Sequence, residues 1–341
     1  MGHIISESQM FQRSNNLLRF DMKKIVVIGS SNTDLITKVE NFPVPGETIV
    51  GKEYMEAMGG KGANQAMAAH RLGGDVKFVT CLGDDANGKS ALAYYEQEGL
   101  EVSSSLIVKG IASGTAIIMV DDQGENSIII TPGANHKLLP DYLYNIENIF
   151  KEADILVLQM EIPYETVKVA CLLAKKHQTQ VILNVAPARL IDSDLLSNVD
   201  ILVVNETEAE TISGEKIQNI GNEGIVDLLL KKGVDTVVLT LGRNGCFLKN
   251  NEESLCFSAF DVETIDTTAA GDTFCGALAA ELGRGNSWEE ALKFSTAASA
   301  ICVTRMGAQP SIPTEKEVCD YLNKNADIIS KKKGRNQSKT Y

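Results

Sequence analysis

A chain of 341 residues, 44% of them hydrophobic, holds enough apolar material for one large α/β domain with a small appendage. Its net charge of −13 argues against a binder of nucleic acid or of anionic membranes. Seven scattered cysteines without a C-x-x-C pair, four histidines without metal-ligand spacing and no apolar run near the roughly 18 residues of a membrane span exclude a disulfide framework, a zinc site and a spanning helix. Thiols of this kind suit a reducing, cytoplasmic compartment.

Residues 1–21 fit no folded pattern and read as a leader, tag or extension. Met1-Gly2 with Ser6 formally fits a myristoylation pattern, but one acyl chain without a second membrane signal anchors weakly. A first strand is predicted over 25–28, ending in Gly29-Ser30-Ser31-Asn32. An extended stretch with Pro43, Pro45 and Gly46 leads to a glycine-rich turn and a helix over 63–72. A strand over 76–82 precedes another turn and helix. Strands over 49–50, 114–120 and 127–131 break the βα rhythm and predict a small β lid drawn from about 36–56 and 112–132.

From residue 155 the pattern is regular. Strands over 155–159, 181–185, 201–204 and 236–240 alternate with helices over 164–176 and 206–212, then come a hairpin over 245–260 and helices beginning near Gly271 and Trp288. The folded domain is taken as 22–320, and 321–341 as a helix end with a solvated basic tail. Short, continuous apolar strands between helices predict a mainly parallel central sheet covered by helices on both faces. Ligands bind beyond the carboxyl ends of such strands, which marks Asn32, Asp34, Glu161, Asn184, Asn205, Glu208, Thr240 and Gly242.

One motif is refused. Residues 83–90, GDDANGKS, fit the P-loop pattern G-x-x-x-x-G-K-S, but Asp84 and Asp85 would place two carboxylates in a loop meant to wrap phosphates. A strand–turn–helix connection capped by Asp or Asn explains the same letters.

Three other segments fit together. Gly59-Gly60-Lys61-Gly62-Ala63-Asn64 surrounds a lysine with glycines at a helix start, where a ligand can approach the backbone. A glycine-rich turn with a solvated lysine fits it as well. Asn32 and Asp34, two residues apart on extended backbone, point to one side and can grip vicinal hydroxyls, unless they merely form an Asx turn. In residues 266–282, DTTAAGDTFCGALAAEL, small residues run into Asp272 at a helix start. Free amides there hold an anion, and a carboxylate in that mouth can take a proton from a hydroxyl. Helix capping is the plainer reading of Asp272.

The ordered set GGKGANQA (59–66), QxE (159–161), NxxE (205–208), TLG (240–242), DTTAAGDTF (266–274) and RxGAQPS (305–311) resembles the ribokinase family of carbohydrate kinases over residues 23–313. The resemblance implies a ribokinase-like α/β fold and ATP-dependent phosphorylation of D-ribose at its primary 5-hydroxyl. In this reading Asp272 is the general base, and the amides of Ala269, Ala270 and Gly271 form the anion hole. Asn32, Asp34, Gly60, Lys61, Asn64 and Glu161 hold the sugar. Asn205, Glu208, Thr240, Gly242 and Gly245 serve ATP, with Glu208 placing Mg²⁺ through water. Asp266, Thr268, Cys302, Arg305, Gly307 and Ser311 match a loop for a monovalent cation such as K⁺. A homodimer through the β lid is expected by analogy. 2-Deoxyribose, another small sugar or a nucleoside are alternative acceptors, and a non-catalytic sugar or nucleotide sensor or a P-loop nucleotidase are the alternatives from other classes.

Overall fold

The protein is described by a computed structural model covering residues 22–325; the leader over 1–21 with its Met1-Gly2 pattern and the basic tail over 331–339 lie outside the described residues. The strands are β1 (Lys24–Ile28), β2 (Asn32–Lys38), β3 (Glu53–Gly59), β4 (Asp75–Val79), β5 (Cys81–Gly83), β6 (Leu106–Val108), β7 (Gly114–Val120), β8 (Asn126–Thr131), β9 (Ile155–Leu158), β10 (Gln180–Asn184), β11 (Ile201–Asn205), β12 (Thr236–Thr240), β13 (Cys246–Lys249) and β14 (Ser254–Phe257). The helices of eight residues or more are α1 (Lys61–Arg71), α2 (Ala86–Gln97), α3 (Tyr164–His177), α4 (Glu206–Ser213), α5 (Ile217–Leu230), α6 (Ala270–Gly283), α7 (Trp288–Cys302) and α8 (Glu315–Lys324).

The central sheet runs β14-β13-β12-β11-β10-β9-β1-β4, parallel from β12 to β4, with the β13–β14 hairpin antiparallel at one edge. Its strands are apolar on both faces because both are covered. Val26, Ile28, Leu156, Leu158 and Leu183 pack on the side of α3, whereas Ile25, Val27, Ile155, Val157 and Ile182 pack against α1 and α6. That alternation is the period of two of an extended chain. A second sheet, β3-β2-β7-β8, forms the lid, and β5 pairs with β6 in a small third sheet.

Three expectations are corrected. Residues 49–50 form no strand. Val50 is 90% exposed and the lid strand lies at β3 instead, so β-branched residues there sit in a solvated loop. Asn32 and Asp34 do not end the first strand: β1 stops at Ile28, and both belong to the start of β2 in the lid. The strand over 76–82 divides at Thr80, whose carbonyl accepts the Leu106 N–H as β5 turns away to pair with β6. α8 runs across residue 320 as far as Lys324.

The refused motif lies where a capped turn is expected. Asp85 Oδ1 accepts the Gly88 N–H at 2.8 Å and the Ser113 hydroxyl at 2.7 Å, while Oδ2 accepts the Ser113 N–H at 2.9 Å. Its carboxylate fills the mouth of α2. Burial opposes that charge, but the bonds from Ser113 and Gly88 outweigh burial and hold Asp85 below the ordinary carboxylate range.

Candidate active site

The carboxyl ends of the parallel strands carry polar residues in spatial order: Gln159 and Glu161 after β9, Asn184 on β10, Asn205 on β11 and Thr240 on β12, where Asn205 and Thr240 are register partners. The lid brings Asn32 and Asp34 to the same end, and α1 and α6 complete the floor. These helices meet closely at Gly276, where a Cβ would stand 2.5 Å from Ala68 Cβ and 2.6 Å from the Gln65 carbonyl oxygen. Gly276 lies one helical turn beyond Asp272, so this close approach sets the start of α6 against the start of α1.

Asp272 sits buried in the first turn of α6. Asn64 Nδ2 donates to its Oδ2 at 3.0 Å, and Gln65 Nε2 donates to its Oδ1 at 2.9 Å. Each bond to a charged acceptor contributes about 1.5–3 kcal/mol, enough to hold the carboxylate in one orientation. Ahead of it, Ala269 adopts φ 59° and ψ 8°, a left-handed conformation unusual for a residue with a Cβ. The Thr273 N–H closes the first helical bond onto the Ala269 carbonyl at 2.8 Å.

The expected anion hole is only partly free. The Ala270 N–H donates to the Thr267 carbonyl at 3.2 Å, closing a turn, while no carbonyl partner exists for the amides of Ala269, Gly271 and Asp272 among the described residues. Gly271 is exposed and faces open space. Orphan amides at a helix start are suited to an anion.

Glu161 caps the other helix. Its Oε2 accepts the Lys61 N–H at 3.0 Å and the Ser30 hydroxyl at 2.6 Å, in place of a side-chain cap at Gly60. Lys61 is raised above the ordinary lysine range, first by the Asp272 charge, against burial, with Glu161 and Glu208 adding to it. Asp34 is 5% exposed and pushed up to about 7, first by burial, then by Glu161 and Asp272, against the pull of Lys61. Its carboxylate lies on Gly59, where a Cβ would meet Oδ2 at 2.0 Å. Asn32 Oδ1 accepts from Asn135 Nδ2 at 2.8 Å, which orients the Asn32 amide. Ser30, Gln65, Asn135 and Gln159 also reach this centre, through hydrogen bonds that no local motif announces.

The residues expected to serve ATP occupy the neighbouring strand ends. Asn205 and Glu208 form a capping box for α4: Glu208 N–H donates to Asn205 Oδ1 at 2.9 Å, and Glu208 Oε2 and Oε1 accept the Asn205 backbone and side-chain nitrogens at 2.8 and 3.0 Å. The N-x-x-E spacing is therefore accounted for locally. Burial raises Glu208 above its usual range. The Thr240 hydroxyl donates to the Val204 carbonyl at 3.3 Å. Gly242 has φ +51° over open space, whereas a Cβ on Gly245 would meet the Phe257 carbonyl at 1.9 Å, so hairpin packing explains that glycine.

Residues expected to hold a monovalent cation meet where the turn before α6 adjoins the end of α7 and residues 307–311. Asp266 Oδ1 accepts the Thr268 N–H and hydroxyl at 2.9 and 2.6 Å, and Oδ2 accepts the Gly307 N–H at 2.8 Å. Cys302 Sγ lies 3.6 Å from the Thr268 carbonyl and 3.0 Å from Ser311 Oγ. The Arg305 side chain points elsewhere, pairing with Glu317 at 2.6 Å. No group of three or more His, Cys, Asp or Glu side chains fit to hold a metal occurs among the described residues, and no described helix is long and apolar enough to cross a membrane.

A family model described as pfkB family carbohydrate kinase matches residues 22–315. A ribokinase from Haemophilus influenzae is 41% identical over 301 residues, spanning 88% of this chain and 98% of the relative. A deoxyribokinase from Salmonella typhi is 34% identical over 303 residues, spanning 88% of this chain and 99% of the relative. The structure of Arabidopsis thaliana ribokinase complexed with ribose and ATP superimposes with a TM-score of 0.82 at 36% identity, covering 88% of this chain and 99% of that one.

Proposed function

The chain belongs to the pfkB family of carbohydrate kinases, and we propose that it transfers the γ-phosphoryl group of ATP to the 5-hydroxyl of D-ribose, giving ribose 5-phosphate and ADP. The observation that carries this reading is the head of α6, where a carboxylate held at both oxygens stands beside orphan amides. Asp272 takes the proton from the sugar hydroxyl as its oxygen attacks phosphorus. The amides of Gly271 and the neighbouring turn stabilise the charge on the transferred group. Asn32, Asp34, Gly60, Lys61, Asn64 and Glu161 hold the sugar, and the strand ends at Asn205 and Thr240, with Glu208 and Gly242, serve the nucleotide.

The buried Glu208 carboxylate at the head of α4 fits a magnesium ion bound mainly by water, since Mg²⁺ needs few protein groups, and the ion would offset the charge of the ATP phosphates. Glu208 would reach it through water. Oxygen donors of Asp266, Thr268, Cys302, Arg305, Gly307 and Ser311, mainly backbone carbonyls, would hold K⁺, and its charge would support the turn before Ala269. Seven free thiols, five of them buried, agree with the cytoplasm. We place the subunit contact of a homodimer on the lid.

The 34% identical deoxyribokinase favours 2-deoxyribose as a second acceptor. Sugar-dependent ADP release over a panel of pentoses and hexoses, with and without K⁺, tests both. Asp272→Asn is expected to lose about 10²–10⁴ in kcat, while Lys89→Ala keeps turnover. The reverse pattern would overturn the assignment, and binding of sugar without turnover would indicate a sensor.

A further inference from the structure

Two buried amides beside Asp272 leave an oxygen without a partner: Asn64 Oδ1 and Gln159 Oε1. A buried unpaired acceptor is costly, so what keeps each amide in place is its donor end. For Asn64 that end goes to Asp272. For Gln159 it goes to Gln65 Oε1, at 2.7 Å.

Gln65 is fully buried in α1, beside Asn64 and among Ala63, Ala66, Ala68 and Ala69. Its Nε2 donates both to Asp272 Oδ1 and to Asn184 Oδ1, the latter at 3.0 Å. Asn184 is itself fixed by its Nδ2, which donates to the Val203 carbonyl at 3.2 Å. The orientations therefore form a chain with one solution. A backbone carbonyl on β11 turns the Asn184 amide, Asn184 and Gln159 together turn Gln65, and Gln65 presents N–H to the carboxylate. Gly29 is part of this arrangement, since a Cβ there would stand 2.0 Å from Gln159 Oε1.

We propose that Gln65 is the positioning residue of the phosphoryl-transfer centre, held by Gln159 and Asn184, and that its N–H aims one lone pair of Asp272 at the sugar hydroxyl. This rests on the reading of Asp272 as general base. A carboxylate bound by Asn64 alone retains rotation about its Cβ–Cγ bond. Proton removal demands alignment within a narrow range of geometry, so that rotation lowers kcat more than it lowers sugar binding.

The test compares Gln65→Met, Gln159→Met and the double variant, with ribose binding measured by calorimetry and kcat measured at saturating ATP and ribose. Gln65→Met is expected to lower kcat about 10- to 100-fold, the loss of one bond to a charged acceptor, with the ribose Kd changed by less than about threefold. Gln159→Met is expected to lower kcat by a smaller factor. Added to Gln65→Met it causes no further loss, because it acts only through Gln65. If Gln65→Met does not fold, the near-isosteric Gln65→Glu replaces it, because an acid there either repels Asp272 or shares its proton. Wild-type kcat in the Gln65 variant, or equal losses of kcat and ribose affinity, overturns the proposal. Asp272→Asn, run alongside, separates the two failures: turnover retained in that variant rejects the general base itself.

Discussion

Glu161 Oε2 accepts the backbone N–H of Lys61 at 3.0 Å, across 100 residues of sequence, so a carboxylate expected to bind sugar also caps helix α1. The same oxygen takes the Ser30 hydroxyl, and Ser30 Oγ in turn accepts the Gly62 N–H at 3.3 Å. Glu161→Ala removes a cap as well as a ligand. It is expected to cost about 1–2 kcal/mol of stability and to weaken ribose binding, whereas Ser30→Ala costs less of both. Thermal unfolding beside ribose calorimetry checks this. Full stability in Glu161→Ala would mean that water caps α1 equally well.

Asp34 links the site to pH. Its carboxyl is raised from 3.8 to about 7 by burial and by the charges of Glu161 and Asp272. Between those values the folded chain binds a proton that the unfolded chain has released, so this group makes stability fall as pH rises. In its proposed role Asp34 accepts sugar hydroxyls best when ionised, so ribose affinity is expected to rise as pH climbs through about 7. Asp34→Asn should flatten the stability slope and be the more stable protein at alkaline pH, with weaker ribose binding. Melting curves and ribose titrations across this window decide it, and an unchanged slope would reject Asp34 as its source.

The sheet was legible because strands such as Ile155–Leu158 are buried on both faces and appear as unbroken apolar runs. β6, three residues long, carries too little pattern to be seen, and β3, with Glu53 and Glu56 on it, lacks a clean alternation. In the site, Asp272, Asn64 and Glu161 stand in motifs with local chemical sense. Gln65, Gln159 and Asn135 act by hydrogen bonds to residues about 94 to 207 positions away, and a neutral amide leaves no charge pattern. The one available signal was an amide inside the alanine-rich face of α1. Asn205 and Glu208 show the converse, since their spacing serves a helix cap whatever else it serves.

Ala269 offers a test of backbone strain. Gln178 and Ala269 are the non-glycine residues with positive φ among those described, and Gln178 merely ends α3, whereas Ala269 opens the turn into α6 that is proposed to bind the anion. The left-handed conformation costs a residue with a Cβ about 1–2 kcal/mol. Ala269→Gly is expected to leave stability unchanged or raise it by up to about 1 kcal/mol, while kcat falls severalfold as the turn gains freedom. A loss of stability with unchanged kcat would show that the methyl group, not the conformation, matters there.

The lid supplies the last prediction. In its register Leu35 lies opposite Ile117, and Ile117 opposite Ile129, which sets three apolar side chains abreast on one face. Asn32 and Asp34 alternate with Leu35 and so face the other way, toward the buried centre proposed to hold the sugar. Ile117 and Ile129 are 44% and 57% exposed, an apolar stripe of the kind that a partner subunit covers. Ile129→Lys would place a charge in the middle of the proposed subunit contact. It is expected to shift sedimentation from dimer to monomer and to raise the KM for ribose more than that for ATP, because the lid carries Asn32 and Asp34, the proposed sugar ligands. A wild-type protein that sediments as a monomer at micromolar concentration would remove the lid contact from the mechanism, and the ribose KM of Ile129→Lys should then match that of the wild type.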